Sequence, residues 1–226
     1  NSHSLIGGIM GAGIAGLGFE KLVYDGLGKV FTGIVVAPIG GMIFGIAVTG
    51  LIIFLFARRK PAIVNRTFGR LQIISSAWFA LTHGANDGQK TMGIIVLILF
   101  AADLIPELEM PLWVIFAAAT AMGLGTFFGG YKVIKTLGVR ITRLKPYQGF
   151  AAETSGGLML AVFATLGIPA STTHAITGTI MGAGSARRIR AVRWKVSRQI
   201  IFSWVITIPG AAALGAGCTY IIHLFV

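Results

Sequence analysis

Residues 31–57 read FTGIVVAPIGGMIFGIAVTGLIIFLFA and carry no charge over 27 positions. A helix needs about 20 apolar residues to cross the hydrocarbon core of a bilayer, so this segment can span a membrane with room for tilt. The basic residues Arg58, Arg59 and Lys60 follow it directly. An apolar segment that ends in basic residues predicts a transmembrane helix whose end lies at the cytoplasmic surface.

The composition of the whole chain agrees with a membrane protein. Hydrophobic residues make up 55% of the 226 positions and charged residues 12%, whereas a soluble domain is about 25% charged. These values exclude a disordered chain, a coiled coil and an ordinary soluble enzyme. The 32 glycines suit closely packed membrane helices, and a single cysteine, Cys218, excludes an intrachain disulfide.

The distribution of charge predicts the topology. Further apolar segments lie at 71–102, 112–131, 150–168, 170–186 and 200–226. Most of the basic residues behind the net charge of +12 lie in loops at 58–70, 132–145 and 187–198, whereas 103–111 holds only acidic charges. The positive-inside rule places the basic loops in the cytoplasm and 103–111 outside. The two segments around Pro169 then leave and return, either as short full crossings or as a re-entrant hairpin.

An internal repeat relates the two ends of the chain. Residues 2–13 and 173–184 share seven identities in 12 pairs, and at the same offset Pro38 falls on Pro209. The charge distribution gives the two copies opposite orientations. An inverted repeat is typical of secondary transporters, whose binding sites lie near the membrane midplane between the repeats.

Two short segments of the chain resemble nucleotide-binding motifs of soluble proteins. Residues 11–16 match G-x-G-x-x-G, and 84–91 approach a P-loop with Gln89 where a glycine is required. Both lie in apolar helical segments without the preceding strand that these motifs need. We therefore assign neither to nucleotide binding.

Residues 84–88 read GANDG and interrupt an apolar segment. We expect the two glycines to break the helix, which is tolerated in a membrane where the backbone is buried or lines a cavity. The carboxylate of Asp87 is a functional candidate because a charge at this depth costs about 2.5–3.5 kcal/mol. The alternative is a structural ion pair with Lys90, three residues away. Both hold if Lys90 also attracts an anion.

Residues 169–174 read PASTTH and predict a helix start capped by Ser171. Free N–H groups and the helix dipole at such a start form an anion site, and the hydroxyls of Thr172 and Thr173 add donors. The alternative is a plain capped turn. Ser2 occupies the corresponding place in the first copy of the repeat.

Three further ionisable residues lie in apolar segments. Glu153 either reaches the cytoplasmic surface along its stem or faces a cavity as a cation or proton ligand. His83 and His174 are candidates for proton transfer, and the alternative for each is a hydrogen-bonded core position.

These residues resemble the PiT family of inorganic phosphate transporters. The resemblance is carried by the GAND segment at 84–87, by 169–184, and by Glu153 shortly before the second of these. It implies symport of phosphate with a cation, with Asn86 and Asp87 contacting the ions and the hydroxyls of 171–173 binding phosphate. Gln89 and Lys90 replace the small or amide residues of many members, especially sodium-coupled ones, and the variant here resembles the bacterial proton-coupled type.

The expected fold is an all-α integral membrane protein of the inverted-repeat transporter class, with broken helices and a re-entrant helical hairpin. We expect 1–57 to be the end of a truncated first repeat, 58–70 a cytoplasmic basic loop, and 71–226 the second repeat. The chain opens without Met or a basic leader, so we expect it to begin partway through a larger protein.

The expected function is symport of inorganic phosphate, coupled to protons, in a multi-pass plasma-membrane protein that is not an enzyme. We expect no catalytic residue, no metal site and no cofactor beyond the coupling cation, a proton or sodium. The expected phosphate-binding residues are Asn86, Ser171, Thr172, Thr173, Lys90 and Ser2, and the coupling-ion residues are Asp87, Glu153 and Asn86. The expected partners are phosphate, the lipid bilayer and a second copy in a homodimer, without nucleic acid. Another oxyanion such as sulfate, or an anion channel, is the alternative.

Overall fold

The computed structural model describes residues 2–168 and 170–225 and folds them into seven α-helices without a β-strand. The helices are α1 (Ser2–Leu17), α2 (Tyr24–Leu55), α3 (Pro61–Ala101), α4 (Leu112–Lys135), α5 (Pro146–Thr165), α6 (Thr172–Ser185) and α7 (Trp194–Phe225). Short 3-10 turns at Phe19–Lys21 and Ile189–Ala191 precede α2 and α7, and a π-helical turn at Thr136–Ile141 follows α4. The expected all-helical fold is confirmed.

The outer surface of the protein is apolar. Among the described residues, three helices are long and apolar enough to cross a membrane: Tyr24–Leu55, Leu112–Tyr131 and Trp194–Phe225. On α4 the rings of Phe127 and Phe128 are 81% and 80% exposed. Water would drive such a surface into association, whereas the acyl chains of a bilayer accommodate it.

One predicted loop is shorter than expected. The segment at 58–70 was expected to be a loop, but α3 begins at Pro61 and carries Arg66 and Arg70 on its first turns. Proline suits the first helical position because its missing N–H has no intrahelical partner there. Hydropathy therefore marks where the membrane ends, and the helix continues beyond it.

The expected break of α3 at 84–88 is wrong. The helix runs without interruption through Gly84, Asn86 and Gly88 for 41 residues. Each glycine costs a helix about 1 kcal/mol relative to alanine, but a break in an apolar environment leaves several backbone groups unpaired at a higher cost each. The side chain of Asn86 also donates to the Thr82 carbonyl at 3.0 Å, within the same helix.

The end of α5 is closed by a glycine. α5 ends at Thr165, and Gly167 follows with a φ of +63°. Glycine adopts this left-handed conformation without strain, and Ile168 N–H donates to the Phe163 carbonyl at 2.9 Å, which closes the helix end. The break expected at Pro169 lies outside the described residues, and α6 begins at Thr172.

The two copies of the sequence repeat have the same order of elements. A helix of 16 or 14 residues, α1 or α6, is followed by a three-residue 3-10 turn and then by a 32-residue helix with one internal proline, α2 or α7. Each short helix packs against the long helix of the other copy, α1 on α7 and α6 on α2.

The glycines of the repeat allow these helices to approach closely. A methyl group added to Gly11 would overlap the backbone of Ala212, and one added to Gly182 would overlap the backbone of Met42. Gly7 faces Ile208, and Gly11, one turn later on α1, faces Ala212, one turn later on α7. The two helices therefore run in the same direction. Small residues at such positions are typical of packed membrane helices.

The helix at the centre of the protein is α6. Twelve of its 14 residues are buried, and it contacts α2, α5 and α3. A polar group on this helix is therefore shielded from bulk water, except at Thr173 near its start, where the side chain is exposed. This arrangement positions the candidate site.

Candidate functional site

Asp87 joins α3 to the beginning of α6. Its Oδ1 atom lies 3.1 Å from Lys90 Nζ, and its Oδ2 atom accepts a hydrogen bond from Thr172 Oγ1 at 3.1 Å. His83 Nδ1 lies 4.0 Å from the same Oδ2 atom. The side chain of Asp87 is 11% exposed, so both carboxylate oxygens are held by protein groups at a partly enclosed position.

The ammonium group of Lys90 has three oxygen acceptors. Nζ lies 3.0 Å from Ser2 Oγ, 3.1 Å from Asp87 Oδ1 and 2.9 Å from the Ala170 carbonyl oxygen. An ammonium has three protons to donate, so these contacts use them all. A direct hydrogen bond from Lys90 to an anion therefore requires one of the three to open.

These contacts lie in the middle of the apolar part of α3. Asp87 lies about 24 Å along the helix from Leu71, where the apolar stretch begins, and about 21 Å from the helix end. Ala170 and Thr172 contact α3 at this level. Residues at the start of α6 and Ser2 at the start of α1 therefore meet α3 at the level of Asp87.

The three hydroxyl residues at the start of α6, Ser171, Thr172 and Thr173, have different surroundings. Ser171 Oγ accepts a hydrogen bond from His174 N–H at 3.4 Å and caps the helix. Thr172 donates to Asp87, whereas the Thr173 side chain is exposed. The first intrahelical bond runs from Ala175 N–H to the Ser171 carbonyl, so the N–H groups of 172 and 173 lie before it, as at any helix start.

Asn86 and Glu153 form their hydrogen bonds with groups outside this cluster. Asn86 donates to a carbonyl of its own helix. Glu153 Oε2 accepts from Ser75 Oγ at 2.5 Å, and Oε1 accepts from Gln72 Nε2 at 3.4 Å. Ser75 and Asp87 are separated by about 18 Å along α3. The structure therefore does not bring Glu153 and Asp87 together around one ion.

Two histidines, one from each copy of the repeat, are in contact beside the cluster. The rings of His3 and His174 have centroids 4.2 Å apart, and Trp204 stacks on His174 at 3.6 Å. His174 Nδ1 lies 3.3 Å from the Ile34 carbonyl oxygen. Because a carbonyl only accepts hydrogen bonds, this contact assigns the proton of neutral His174 to Nδ1. Its Nε2 atom is buried and has no hydrogen-bond partner among the described residues.

Sequence reasoning missed Gln72, Ser75 and Trp204. Gln72 and Ser75 share one face of a helix at a spacing of three residues within an apolar stretch, and this signal could have predicted a polar partner for Glu153. Nothing in the sequence places Trp204 against His174. Within 2–168 and 170–225, no group of three or more His, Cys, Asp or Glu side chains could hold a metal ion.

The chain is similar to a known group of proteins along its whole length. Residues 55–215 match the phosphate transporter family. A probable low-affinity inorganic phosphate transporter of Rhizobium meliloti (strain 1021) is 45% identical over 221 residues, which cover 97% of this chain and 66% of that protein. A protein of the same description from Bacillus subtilis (strain 168) is 39% identical over 225 residues, covering 99% of this chain and 68% of that protein. The chain thus spans about two thirds of the length of these relatives.

A solved structure has the same fold. It is described as "The sodium-dependent phosphate transporter" and superposes with a TM-score of 0.84 at 24% identity, covering 100% of this chain and 74% of that one. At this identity the likeness shows a common fold. The membership of a family is shown by the sequence matches. The chain therefore belongs to the phosphate transporter family, a family of multi-pass membrane transporters rather than enzymes.

Proposed function

We propose that the protein carries inorganic phosphate across the plasma membrane by symport with protons. The observation that carries this proposal is the Asp87–Lys90 pair, which lies at mid-depth on α3 against the start of α6 and against Ser2 of the other repeat. Charged groups inside a membrane protein mark ion and substrate pathways. The names of the relatives, which describe inorganic phosphate transporters, support phosphate as the substrate.

The proposed architecture is an inverted repeat with a re-entrant α5–α6 hairpin. The 14 residues of α6 rise about 21 Å, less than the hydrocarbon thickness of about 30 Å, and its start contacts the middle of α3. The contact register supports opposite orientations of the two copies, because α1 runs parallel to α7 and the equivalent α6 runs parallel to α2. The site then lies between the repeats, where rocking of one against the other gives alternating access.

The proposed phosphate position is the start of α6. The N–H groups of 172 and 173 and the positive end of the helix dipole attract an anion, and the exposed Thr173 hydroxyl adds a donor. Ser171 holds the helix end in place, and Lys90 supplies positive charge nearby. Ser2 and Asn86, which were also expected to bind phosphate, require rearrangement because Ser2 contacts Lys90 and Asn86 bonds to its own helix.

Proton coupling is supported by the position of Lys90. Its ammonium lies among a carboxylate, a hydroxyl and a carbonyl oxygen, which are the ligand types that a sodium ion would use. A bound positive charge at this place repels a second cation. His174 offers a neutral proton acceptor in its buried Nε2 atom, which has no hydrogen-bond partner among the described residues.

The test is phosphate uptake by the full-length protein in proteoliposomes with an imposed gradient of protons or of sodium. We expect uptake driven by an inward proton gradient and indifferent to sodium. Strict sodium dependence would overturn the proton assignment. If unlabelled sulfate inhibits the uptake of labelled phosphate as strongly as unlabelled phosphate does, the assignment of phosphate as the substrate is wrong. An absence of counterflow of labelled phosphate would favour a channel.

A variant sharpens this test. Lys90→Ala removes the ammonium and leaves the oxygens of Asp87, Ser2 and Ala170 without their cation. We expect sodium to stimulate uptake in this variant but not in the unmodified protein. If sodium has no effect on either protein, Lys90 does not replace a bound cation.

A homodimer is also part of the proposal. The mass of the purified protein in detergent tests it.

A further inference from the structure

A second charged site lies at the end of the protein opposite to the acidic loop at 103–111. A cavity of about 140 Å³ opens where α2 ends and where α3 and α5 begin. Three basic side chains line it, Arg59, Lys145 and Arg187. They come from three different connections of the chain, and each connection belongs to one of the basic loops that the positive-inside rule assigns to the cytoplasm.

No ion pair among the described residues compensates the positive charge of this cavity. No carboxylate is among its lining residues. The ion pairs among the described residues involve Asp25 and Asp87, and neither pairs with Arg59, Lys145 or Arg187. Three like charges that converge from separate segments repel one another. An anion bound between them would turn this repulsion into attraction.

The backbone adds to the same field. The cavity is bordered by the first turns of α3, at Pro61 and Val64, and of α5, at Tyr147. The amino ends of helices carry partial positive charge. Asn65 also lines the cavity, and its buried Oδ1 atom has no hydrogen-bond partner among the described residues. The site therefore offers cations to a phosphate group and an acceptor to a hydroxyl.

The remaining wall of the cavity is apolar. Ile53 near the end of α2, Phe56 just after it and Val64 in the first turn of α3 line the cavity beside the charged groups. A free inorganic anion gains nothing from such a wall, whereas a phospholipid has acyl chains that can lie along it. Anionic lipids are concentrated in the cytoplasmic leaflet, and basic pockets between membrane helices bind their headgroups.

We propose that this cavity binds the phosphate group of an anionic phospholipid of the cytoplasmic leaflet. The lipid links the end of α2 to the starts of α3 and α5 and to the connection after α6. It therefore bridges elements of both repeats. The site is separate from the transport site at Asp87, because α3 begins about 39 Å along its axis from that residue.

The test compares two triple variants of the full-length protein. The cavity variant carries Arg59→Gln, Lys145→Gln and Arg187→Gln. The control variant carries Arg58→Gln, Arg143→Gln and Arg190→Gln, which remove the same charge from the same three connections but do not line the cavity. Phosphatidylglycerol is titrated into each purified protein, and the bound lipid is counted by native mass spectrometry.

We expect the cavity variant to bind phosphatidylglycerol on the order of 100-fold more weakly, because each basic residue near an anionic lipid contributes about fivefold. The control should stay within about threefold of the unmodified protein, since its residues lie outside the cavity. An equal loss in both variants would mean that lipid binds to a diffuse basic surface, and would overturn the proposal.

Two further arms keep the result interpretable. If inorganic phosphate displaces phosphatidylglycerol at comparable concentration, the occupant is a free anion and the lipid assignment is wrong. If the triple variant does not fold, the single variants Arg187→Gln and Arg190→Gln are compared in the same way. The proposal then requires a loss of about fivefold for the first only.

Discussion

Asp87 is the residue on which the proposed site depends most, because its two carboxylate oxygens connect a lysine on its own helix to the start of another helix. Asp87→Asn keeps the size of the side chain and removes its charge. We expect phosphate uptake to fall at least about tenfold, because a hydrogen bond to a charged group is worth about 1.5–3 kcal/mol and Lys90 loses its counter-charge. Proteoliposome uptake, corrected for the amount of inserted protein, measures the effect.

The matched control is Asp25→Asn on α2. Asp25 also pairs with a lysine on its own helix, Lys29, at 3.1 Å, but its side chain is 83% exposed. This substitution should leave uptake unchanged. Normal uptake by Asp87→Asn would assign the Asp87–Lys90 pair to structure alone.

Thr173 differs from its neighbours because its hydroxyl is exposed at the start of α6. Thr173→Val removes the hydroxyl and keeps the shape. We expect phosphate affinity to fall roughly 10- to 100-fold, the loss of one hydrogen bond to a charged group. Thr177→Val, one turn further along the helix at a buried position, is the control. Equal, small changes in the phosphate Kd of both variants would mean that this segment is only a capped helix.

At the scale of single helices, the close approach of α6 to α2 is the feature most sensitive to substitution. An alanine at Gly182 would place its methyl group against the Met42 backbone. Overpacking of this kind costs about 1–3 kcal/mol, so Gly182→Ala should lower the thermal unfolding temperature of the purified protein in detergent.

Gly13→Ala is the matched control on α1. A methyl group there meets no atom within 4 Å, and alanine favours a helix over glycine by up to about 1 kcal/mol. The unfolding temperature of this variant should be unchanged or higher. Equal destabilisation of both variants would contradict the packing of α6 on α2 described above.

At the scale of the whole molecule, the topology makes a prediction that is independent of transport. Leu104 lies in the acidic loop and Arg190 in a basic connection, both at exposed positions. In a Cys218→Ser background, Leu104→Cys should react with a membrane-impermeant maleimide from outside intact cells. Arg190→Cys should react only after permeabilisation. Labelling of both from outside would contradict the orientation.

Much of the fold was predictable from local signals. The apolar lengths and the basic residues predicted the helices and their common end, and Arg59, Lys145 and Arg187 do lie around one cavity. The repeat, seen as shared residues at 2–13 and 173–184, corresponds to two sets of elements in the same order. The break at 84–88 was wrongly predicted because propensity alone disfavours glycine, whereas an apolar environment requires every backbone group to be paired.

The sequence by itself determined that this chain is a multi-pass helical membrane protein, that Asp87 and Lys90 share one helix face, and that Ser171 caps a helix. Each of these depends on residues close together in the chain, so local spacing is sufficient. Only the tertiary structure decided that Lys90 contacts Ser2 and Ala170, that Glu153 pairs with Ser75, and that the rings of His3 and His174 are in contact. These partners are at least 78 positions apart, and the packing of α1, α3, α5 and α6 against one another brings them together. The register of helices in contact depends on the fit of their whole surfaces, which no single segment of the sequence specifies.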